Sequence, residues 1–465
     1  MRTALAYMKP ELMVTVIIFL LLLLKLGKGM RNGSLLSLIQ MLLLVNFLVT
    51  LFLPSEGQLF SGMYVTSPLI GLQKAILSLG VYLISLLNAG WLKRTDNLTE
   101  FMVLMLSALL GMEFLVSSGH LLMFFLSLEL ATIPVAAMAN FDLEKKVSSE
   151  AAMKMILSSA FSSGILLFGL SLVYGSTGTL YFAELPAKID GSPLQVTAFV
   201  FLFSAFAFKL SVVPFHLWTA DVYEGAPFPV TAFLSVISKG AVAFIFVSTL
   251  YKVFAPLGNV WQLLLVVTAL ATLIVGNLFA LRQDNIKRFL AFSSIAQVGF
   301  ILVGITAAGP NGTAAVTYFI LVYVFSNLAA FGVASVIADA TGRENISDYR
   351  GLYASNPLLT WVMALALFSL AGIPPTAGFF GKVFLLGAGA SKGLVWFIAL
   401  AAVNMIISLY YYLRVIRAMF METQMTPVES IKREQPVTFA LLLCAGGVVL
   451  TGLMSWIWEY IRQLA

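Results

Sequence analysis

The chain consists of long apolar stretches that alternate with short polar segments. About fourteen of these stretches approach the roughly 20 residues that a helix needs to cross about 30 Å of hydrocarbon. They cover residues 11–26, 35–53, 68–90, 101–117, 119–138, 151–174, 195–225, 229–253, 260–281, 288–307, 314–338, 354–390, 393–418 and 437–460. The pattern predicts an all-α polytopic membrane protein with little chain left for a soluble domain.

Composition and charge agree with a membrane protein and indicate its orientation. Of the 465 residues, 60% are hydrophobic and only 10% are charged, which is too few to cover the surface of a soluble protein. The basic residues are concentrated in the odd-numbered loops. Because basic loops stay in the cytoplasm, we expect both termini on the opposite side. Lys25 and Arg31 follow the first stretch in place of a cleavage site, which predicts a retained helix.

Two of the stretches are interrupted by proline. Pro214 breaks the seventh stretch, and Pro374 and Pro375 break the twelfth, five helices later. Irregular backbone at this depth is tolerated only where it is buried in protein or lines a wet cavity, and paired broken helices indicate an inverted-repeat transporter fold. We therefore expect a single membrane domain, residues 1–465. N-terminal helices cover residues 1–100, and a C-terminal helix covers residues 437–465. Between them lie two inverted five-helix repeats, residues 101–253 and 260–418, each with a broken helix.

Four ionisable side chains lie deep inside apolar stretches: Glu129, Lys209, Lys239 and Lys382. A charge in hydrocarbon costs about 2.5–3.5 kcal/mol even on a lenient scale, so such residues face a polar interior and mark ion pathways. Burial destabilises an ammonium group and a nearby carboxylate stabilises it again, so a lysine near Glu129 can take up and release a proton. The alternative for each residue is a structural ion pair, and Lys382 could instead cap a half-helix.

Other ionisable residues are secondary candidates. Lys154 lies near the start of its stretch, and His216 lies beside the first break. Histidine titrates near pH 6.5, so His216 could transfer protons, although it could equally be structural. Lys74 and Glu113 lie near helix ends, where we expect them to reach the membrane interface by snorkelling.

The sequence lacks motifs for redox chemistry and nucleotide hydrolysis. It has no GxGxxG in a strand–turn–helix context and no P-loop, and its two histidines and single Cys444 are too few for a haem, copper or cysteine-cluster site. We therefore expect a chain without a metal or cofactor that carries no electrons. The energy for transport would come from another ion gradient or from a partner subunit.

Several segments resemble the antiporter-like membrane subunits of respiratory complex I, the proton-pumping NADH:quinone oxidoreductase. The resemblance rests on KLSVVPFHLWTADVYEGAPFPV (209–230), SLAGIPPTAGFFGK (369–382), RQDNIKRFLAFSSIAQVGF (282–300), SLELATIP (127–134) and LYYYLRV (409–415). Within that family, PFHLW, YEGAP and LYYYLRV are similar to the N-type subunits, rather than to the L and M types or the multisubunit sodium/proton antiporters.

The resemblance implies a fourteen-helix bundle with a polar axis along the membrane mid-plane. It implies that Glu129 and Lys209 form the pair that gates a proton half-channel, that Lys239 connects the two halves, and that Lys382 lies nearest the exit side. Relatives often carry a histidine on the tenth helix where this chain has Gln297. Glutamine can relay hydrogen bonds but cannot titrate.

Partners, cofactors and location are also implied by the resemblance. It implies a proton-conducting subunit in the lipid bilayer of the bacterial inner membrane, working with other complex I membrane subunits and a peripheral redox arm and without nucleic acid. FMN, iron–sulfur clusters and quinone are expected in partner subunits. Two alternatives remain open, a secondary sodium/proton antiporter subunit and a structural subunit whose buried charges only hold helices together.

Overall fold

The computed structural model describes residues 6–27, 30–391, 393–422 and 428–465, which form helices almost throughout. The principal helices are α1 Lys9–Leu26, α2 Asn32–Phe52, α3 Pro68–Leu87, α4 Leu98–Val116, α5 Leu121–Ala139, α6 Lys146–Thr177, α7a Pro193–Leu210, α7b Leu217–Gly225, α8 Phe228–Val253, α9 Gly258–Ala280, α10 Ile286–Ile305, α11 Pro310–Thr341, α12a Pro357–Ala371, α12b Ala377–Ala390, α13 Val395–Met421, α14 Gln435–Leu453 and α15 Ser455–Leu464. Shorter elements are the strands β1 Gly57–Leu59 and β2 Tyr64–Thr66, the helices Ala89–Arg94, Leu185–Lys188 and Leu352–Ser355, and the 3-10 turns Phe60–Gly62, Ala255–Leu257 and Ile346–Tyr349.

Twelve helices in the described part of the chain are long and apolar enough to cross a membrane. The shorter apolar helices α12a and α12b lie on either side of the second break. Helix α1 carries three charged residues, Lys9, Glu11 and Lys25. The all-α polytopic class is therefore confirmed, and the count of fourteen spans stays a prediction.

Burial separates central helices from outer helices. In the most apolar segment of each helix, 94% of residues are buried in α8 and α10, 89% in α11 and 83% in α3, against 33% in α2, α6, α13 and α14. All of these helices are apolar, so their hydrophobic sides must meet either protein or lipid. Helices α3, α8, α10 and α11 therefore form the centre of the bundle, and the outer helices present apolar side chains to lipid.

Both predicted broken helices are present. Pro214 lies between α7a and α7b, and Pro374 and Pro375 lie between α12a and α12b. The peptide bonds that precede Pro214 and Pro375 are cis. The description of the two halves as inverted repeats stays a prediction.

Neighbouring groups satisfy the backbone at the first break. Ser211 follows α7a in a left-handed conformation with φ of 64°. The indole N–H of Trp218 donates to the carbonyl of Phe208 at 3.1 Å, and the amide of Val213 donates to the hydroxyl of Thr272 on α9 at 3.0 Å. The freed backbone groups thus find partners within the protein, as a break inside a membrane requires.

Side chains from two helices satisfy the second break. Gly372 follows α12a with φ of 86°, a conformation that favours glycine. The Nζ of Lys382 donates to the carbonyls of Leu370 and Ala371 at 2.7 and 3.2 Å, and the Nε2 of Gln297 donates to Leu370 at 2.9 Å. A lysine at the carbonyl end of a helix also complements the helix dipole.

The predicted helix over residues 437–465 is wrong, because the chain forms two helices there. Helix α14 ends at Leu453 and the amphipathic α15 follows it. The ring of Trp458 on α15 stacks on Phe384 with 3.9 Å between ring centres, while Glu459 and Arg462 are exposed. This arrangement buries one face of α15 and leaves its charged side chains accessible.

Both ends of the described chain lie at the same end of the bundle. The hydroxyl of Tyr64 donates to the carbonyl of Tyr7 at 3.0 Å, just before α3 begins. Ile461 on α15 is buried in a cluster that includes Leu72, near the start of α3. We call this region the terminal end of the bundle.

Two further local structures were not predicted. Strands β1 and β2 pair as an antiparallel hairpin in the loop between α2 and α3. Helix α8 contains two π-helical segments, Phe233–Ser238 and Thr249–Val253. Three-residue strands and single π turns are too short to leave a clear periodic signal in the sequence.

Gly378→Ala is expected to destabilise the second break. A Cβ at Gly378 would collide with the carbonyl oxygen of Ser369 across the break, whereas a Cβ at Gly387 on the same helix meets nothing within 4 Å. Forcing an atom into a packed contact typically costs about 1–3 kcal/mol. We expect a lower thermal denaturation midpoint for Gly378→Ala and an unchanged or higher one for the control Gly387→Ala. Equal midpoints would show that this contact can relax.

Candidate functional site

The four deep ionisable residues come from four helices: Glu129 from α5, Lys209 from α7a, Lys239 from α8 and Lys382 from α12b. The lysines are 8%, 1% and 1% exposed in that order, and Glu129 is half-buried. The structure therefore places all three lysines inside the protein, as the sequence predicts. We call these four residues the lysine path.

Glu129 and Lys209 lie near the same face of α5 without a direct ion pair between them. The Nζ of Lys209 donates to the hydroxyl of Thr132 at 2.7 Å, and Thr132 lies one turn after Glu129. The hydroxyl of Ser163 on α6 donates to Glu129. The carboxylate and the ammonium are thus each held by a hydroxyl group from another helix.

A small cavity of about 20 Å³ adjoins Lys209. Its polar lining comes from Thr132, Ser159, Lys209 and Ser238. A polar cavity needs about 10–15 Å³ to hold one water molecule, so this one has room for a single water. The cavity therefore extends from Lys209 to Ser238 on α8, the residue that directly precedes Lys239.

Lys239 is held between two π-helical segments of α8. Its Nζ donates to the hydroxyl of Ser294 on α10 at 2.6 Å and lies 5.6 Å from the centre of the Tyr223 ring. The buried Tyr323 on α11 lies near both Ser294 and Tyr412. Hydroxyl groups thus lie between Lys239 and α13, but that of Tyr323 has no hydrogen-bond partner among the described residues.

Gln297 connects α10 to the second break. Its Nε2 donates to the hydroxyl of Tyr412 at 3.0 Å as well as to the carbonyl of Leu370. Ser293 shares a 2.5 Å hydrogen bond with Tyr412. Since Lys382 also donates to Leu370, a chain of polar groups reaches from Tyr412 to the last lysine.

The two lysines beside the breaks occupy different positions. Lys209 lies on the helix before its break, whereas Lys382 lies on the helix after its break. Lys382 consequently reaches back to cap α12a, which is the half-helix cap that the sequence left open as an alternative. Capping and proton transfer are compatible, because a neutral amine can also donate hydrogen bonds.

The two histidines have different environments. His120, in the loop before α5, accepts a hydrogen bond at Nδ1 from the amide of Leu122 at 3.1 Å, and burial lowers the pKa of His120. His216 lies in the first break, and its buried Nδ1 has no partner among the described residues. A metal site would need several histidine, cysteine, aspartate or glutamate side chains close together. The described part of the chain contains no group of three or more of them that could hold a metal ion.

Lys154 belongs to a surface ion-pair network. Its Nζ lies 2.7 Å from Glu150 and 2.6 Å from Asp221, and its side chain is 42% exposed. Arg288 on α10 also binds Asp221 at 2.8 Å and Glu224 at 2.6 Å. This network joins α6, α7b and α10 at the end of the bundle opposite to the terminal end.

The predicted snorkelling of Lys74 and Glu113 is wrong. Lys74 is 1% exposed and Glu113 is 0% exposed, and Lys74 pairs with Glu11, which the sequence did not single out. The error arose because distance from a helix end was used to judge depth. Helix α1 and the β1–β2 hairpin cover these helix ends, and only the tertiary structure shows that cover.

Comparison with known proteins identifies related sequences over the whole chain. A family model described as "NADH:quinone oxidoreductase/Mrp antiporter, TM" matches residues 118–408. The NADH-quinone oxidoreductase subunit N of Phocaeicola vulgatus is 48% identical over 467 aligned residues, which cover 100% of this chain and 99% of that relative.

Solved structures share the fold. A chain of respiratory complex I from Thermus thermophilus with bound aureothin superposes with a TM-score of 0.83 and is 30% identical, over 96% of this chain and 98% of that one. A chain of the Mrp complex from a Dietzia species gives a TM-score of 0.86 over 97% of this chain and 95% of that one. At 20% identity the second match is a similarity of fold alone.

Proposed function

We propose a proton-translocation function for this chain, which belongs to the family of NADH:quinone oxidoreductase and Mrp antiporter membrane subunits. It acts as the N-type subunit in the membrane arm of an NADH:quinone oxidoreductase, together with other membrane subunits of that complex. FMN, iron–sulfur clusters and quinone belong to partner subunits, and this chain moves protons without passing electrons. The full-length match to a subunit N supports this assignment over a sodium/proton antiporter, whose fold is similar.

One observation carries the proton role of the lysine path. Lys209, Lys239 and Lys382 donate to hydroxyl or carbonyl oxygens, and none of them forms an ion pair among the described residues. A buried charge that only holds helices together is expected to have a counter-charge, because an unpaired buried ion costs several kcal/mol. Buried lysines with neutral partners can instead release a proton without leaving a carboxylate unpaired.

The contacts support an order of proton transfer. A proton at Glu129 passes to Lys209 past Thr132, and the single-water cavity beside Ser238 carries it on to Lys239. Ser294 and the tyrosine hydroxyls extend the path across α10. In this scheme residues 101–253 and 260–418 form two inverted repeats, each with one half-channel.

Gln297 completes the path as a hydrogen-bond relay in place of a titrating side chain. It binds Tyr412 and the Leu370 carbonyl that also accepts from Lys382. Any proton that crosses here therefore moves through hydroxyl groups or water and reaches Lys382 for release. His216 is a secondary candidate at the first break, and Lys154 shapes the surface near α7b.

Replacing Lys209 or Glu129 with alanine is expected to lower NADH-driven proton pumping strongly in the assembled complex. Each change removes one partner of a coupled pair, and Glu129→Asp should be milder because the carboxylate remains. Pumping is measured in inverted membrane vesicles at equal complex content. Lys252→Ala, which changes an exposed lysine, is the control and should pump normally. Normal pumping by both alanine variants would rule out the pair.

Arginine and methionine at position 382 separate proton transfer from a static cap. Arginine keeps the positive charge beside the α12a carbonyls but is effectively never deprotonated, so Lys382→Arg should block pumping. Lys382→Met removes the charge as well and should also block it. A purely capping lysine predicts that arginine pumps nearly normally and methionine is severely impaired. Pumping by Lys382→Arg at the level of the unmodified complex would overturn the transfer role.

The orientation in the bacterial inner membrane can be tested separately. The basic odd loops predict that both termini lie outside the cytoplasm. A reporter that is active only in the cytoplasm should be active when fused near Glu429 and inactive when fused after Ala465. Equal activity at the two positions would contradict this topology.

A further inference from the structure

A second group of buried ionisable side chains lies at the terminal end of the bundle, outside the lysine path. The Nζ of Lys74 on α3 lies 2.5 Å from the Oε1 of Glu11 on α1, and both side chains are 1% exposed. The hydroxyl of Tyr64 on β2 lies 3.0 Å from each of these two atoms. The β1–β2 hairpin thus places Tyr64 as a cover over a buried ion pair.

A second carboxyl group extends this cluster along α3. Ser78 lies one turn after Lys74, on the same face of α3, and its hydroxyl donates to the Oε1 of Glu113 on α4 at 3.1 Å. The Nδ2 of Asn46 on α2 donates to Ser78 at 3.2 Å. Four helices and the hairpin therefore enclose one polar strip, and we call Glu11, Tyr64, Lys74 and Glu113 the hairpin cluster.

The charges of the hairpin cluster do not balance when Lys74 and both glutamates are ionised and Tyr64 is neutral. Two carboxylates and one ammonium leave one negative charge, and the titratable groups that interact with one another here are those four residues. An uncompensated charge in a buried site costs several kcal/mol. One bound proton removes that charge.

Hydrogen bonding places the proton on Glu113 rather than on Glu11. Glu11 accepts from the Lys74 ammonium at 2.5 Å, which favours its ionised form, whereas the Oε1 of Glu113 accepts from the neutral Ser78 hydroxyl. The Oε2 of Glu113 has no partner among the described residues. The Oδ1 of Asn46, whose Nδ2 donates to Ser78, also has no partner among the described residues.

A cleft adjoins the hairpin cluster at the terminal end. Ser117, whose buried hydroxyl has no partner among the described residues, lies beside Tyr64. The next residue, Ser118, lines a cleft of about 490 Å³ together with hairpin residues and the charged Glu184 and Lys252. The cleft thus begins one residue after the Ser117 hydroxyl that lies beside Tyr64.

We propose that the hairpin cluster is a proton-binding site, which holds one exchangeable proton on Glu113 and exchanges it with the terminal end of the bundle through Tyr64. The site uses no residue of the lysine path. The experiments below therefore test this site independently of the proton-pumping proposal.

Infrared difference spectra between each purified variant complex and the unmodified complex, recorded at neutral pH, report gain or loss of protonated carboxyl groups. The band measured is the carboxyl C=O stretch. Relative to the unmodified complex, Glu113→Gln should lose the C=O stretch of one protonated carboxyl. Glu11→Gln should lose the same band, because Glu113 then balances Lys74 and ionises. Lys74→Met should gain the band of one additional carboxyl, because both glutamates must then be neutral.

The control is Glu100→Gln on the same helix as Glu113, where Glu100 is 40% exposed and pairs with Lys25. It should leave the carboxyl region unchanged. Glu113→Gln copies the neutral carboxyl and should assemble normally. Failure of that variant to assemble, or carboxyl spectra of Glu113→Gln and Glu11→Gln that match the unmodified complex, would overturn the site. If Lys74→Met does not assemble, the two glutamine variants decide alone.

Exchange is tested by transfer of the complex to deuterated buffer. The Glu113 band should shift as the carboxyl proton is replaced, and Tyr64→Phe should slow that shift while keeping the band. A band that never shifts in the unmodified complex would show a trapped proton and overturn the exchange. An equal shift rate in Tyr64→Phe would exclude the route through the hairpin.

Discussion

The fold depends on one constraint: a backbone group or a charge withdrawn from water into the bundle must be stabilised from inside the protein. The two breaks show how this is achieved, because each open helix end is satisfied by a side chain from elsewhere. Trp218 and Thr272 serve the first break, and Gln297 and Lys382 serve the second. The breaks consequently bind the helices around them, and the residues that stabilise the fold include residues that could move protons.

The same constraint separates two kinds of buried lysine. Lys74 has a carboxylate at 2.5 Å, so its charge is matched within the protein. Among the residues that the structure describes, Lys209, Lys239 and Lys382 have only neutral oxygens within hydrogen-bonding distance. Burying an ammonium without a counter-charge is unfavourable, so such a group loses its proton readily. A carboxylate partner stabilises the charged form, and the proton is then held more tightly. Depth in the membrane alone therefore does not identify a proton carrier, and the chemical nature of the partner is the more informative property.

The sequence predicts those features that depend on local chemistry. Proline marked both breaks, and apolar length marked the helices that hold Glu129 and the three lysines. The hydroxyl partners were not predictable, because Thr132 and Ser294 approach their lysines through contacts between helices distant in sequence. Burial of the hairpin cluster was missed for the same reason: its cover is supplied by a separate helix and by strands of three residues each.

The position of Lys382 links charge to helix geometry in a way that Lys209 does not share. Lys382 donates to two carbonyls at the end of α12a, where its positive charge complements the helix dipole. Loss of its proton would remove the charge that complements the dipole, while the neutral amine could still donate to the Leu370 carbonyl beside Gln297. Lys209 donates to a hydroxyl on a neighbouring helix, so its deprotonation changes no helix end. A change of protonation at Lys382 would therefore act directly on the carbonyl end of α12a, whereas one at Lys209 would act on a contact between helices.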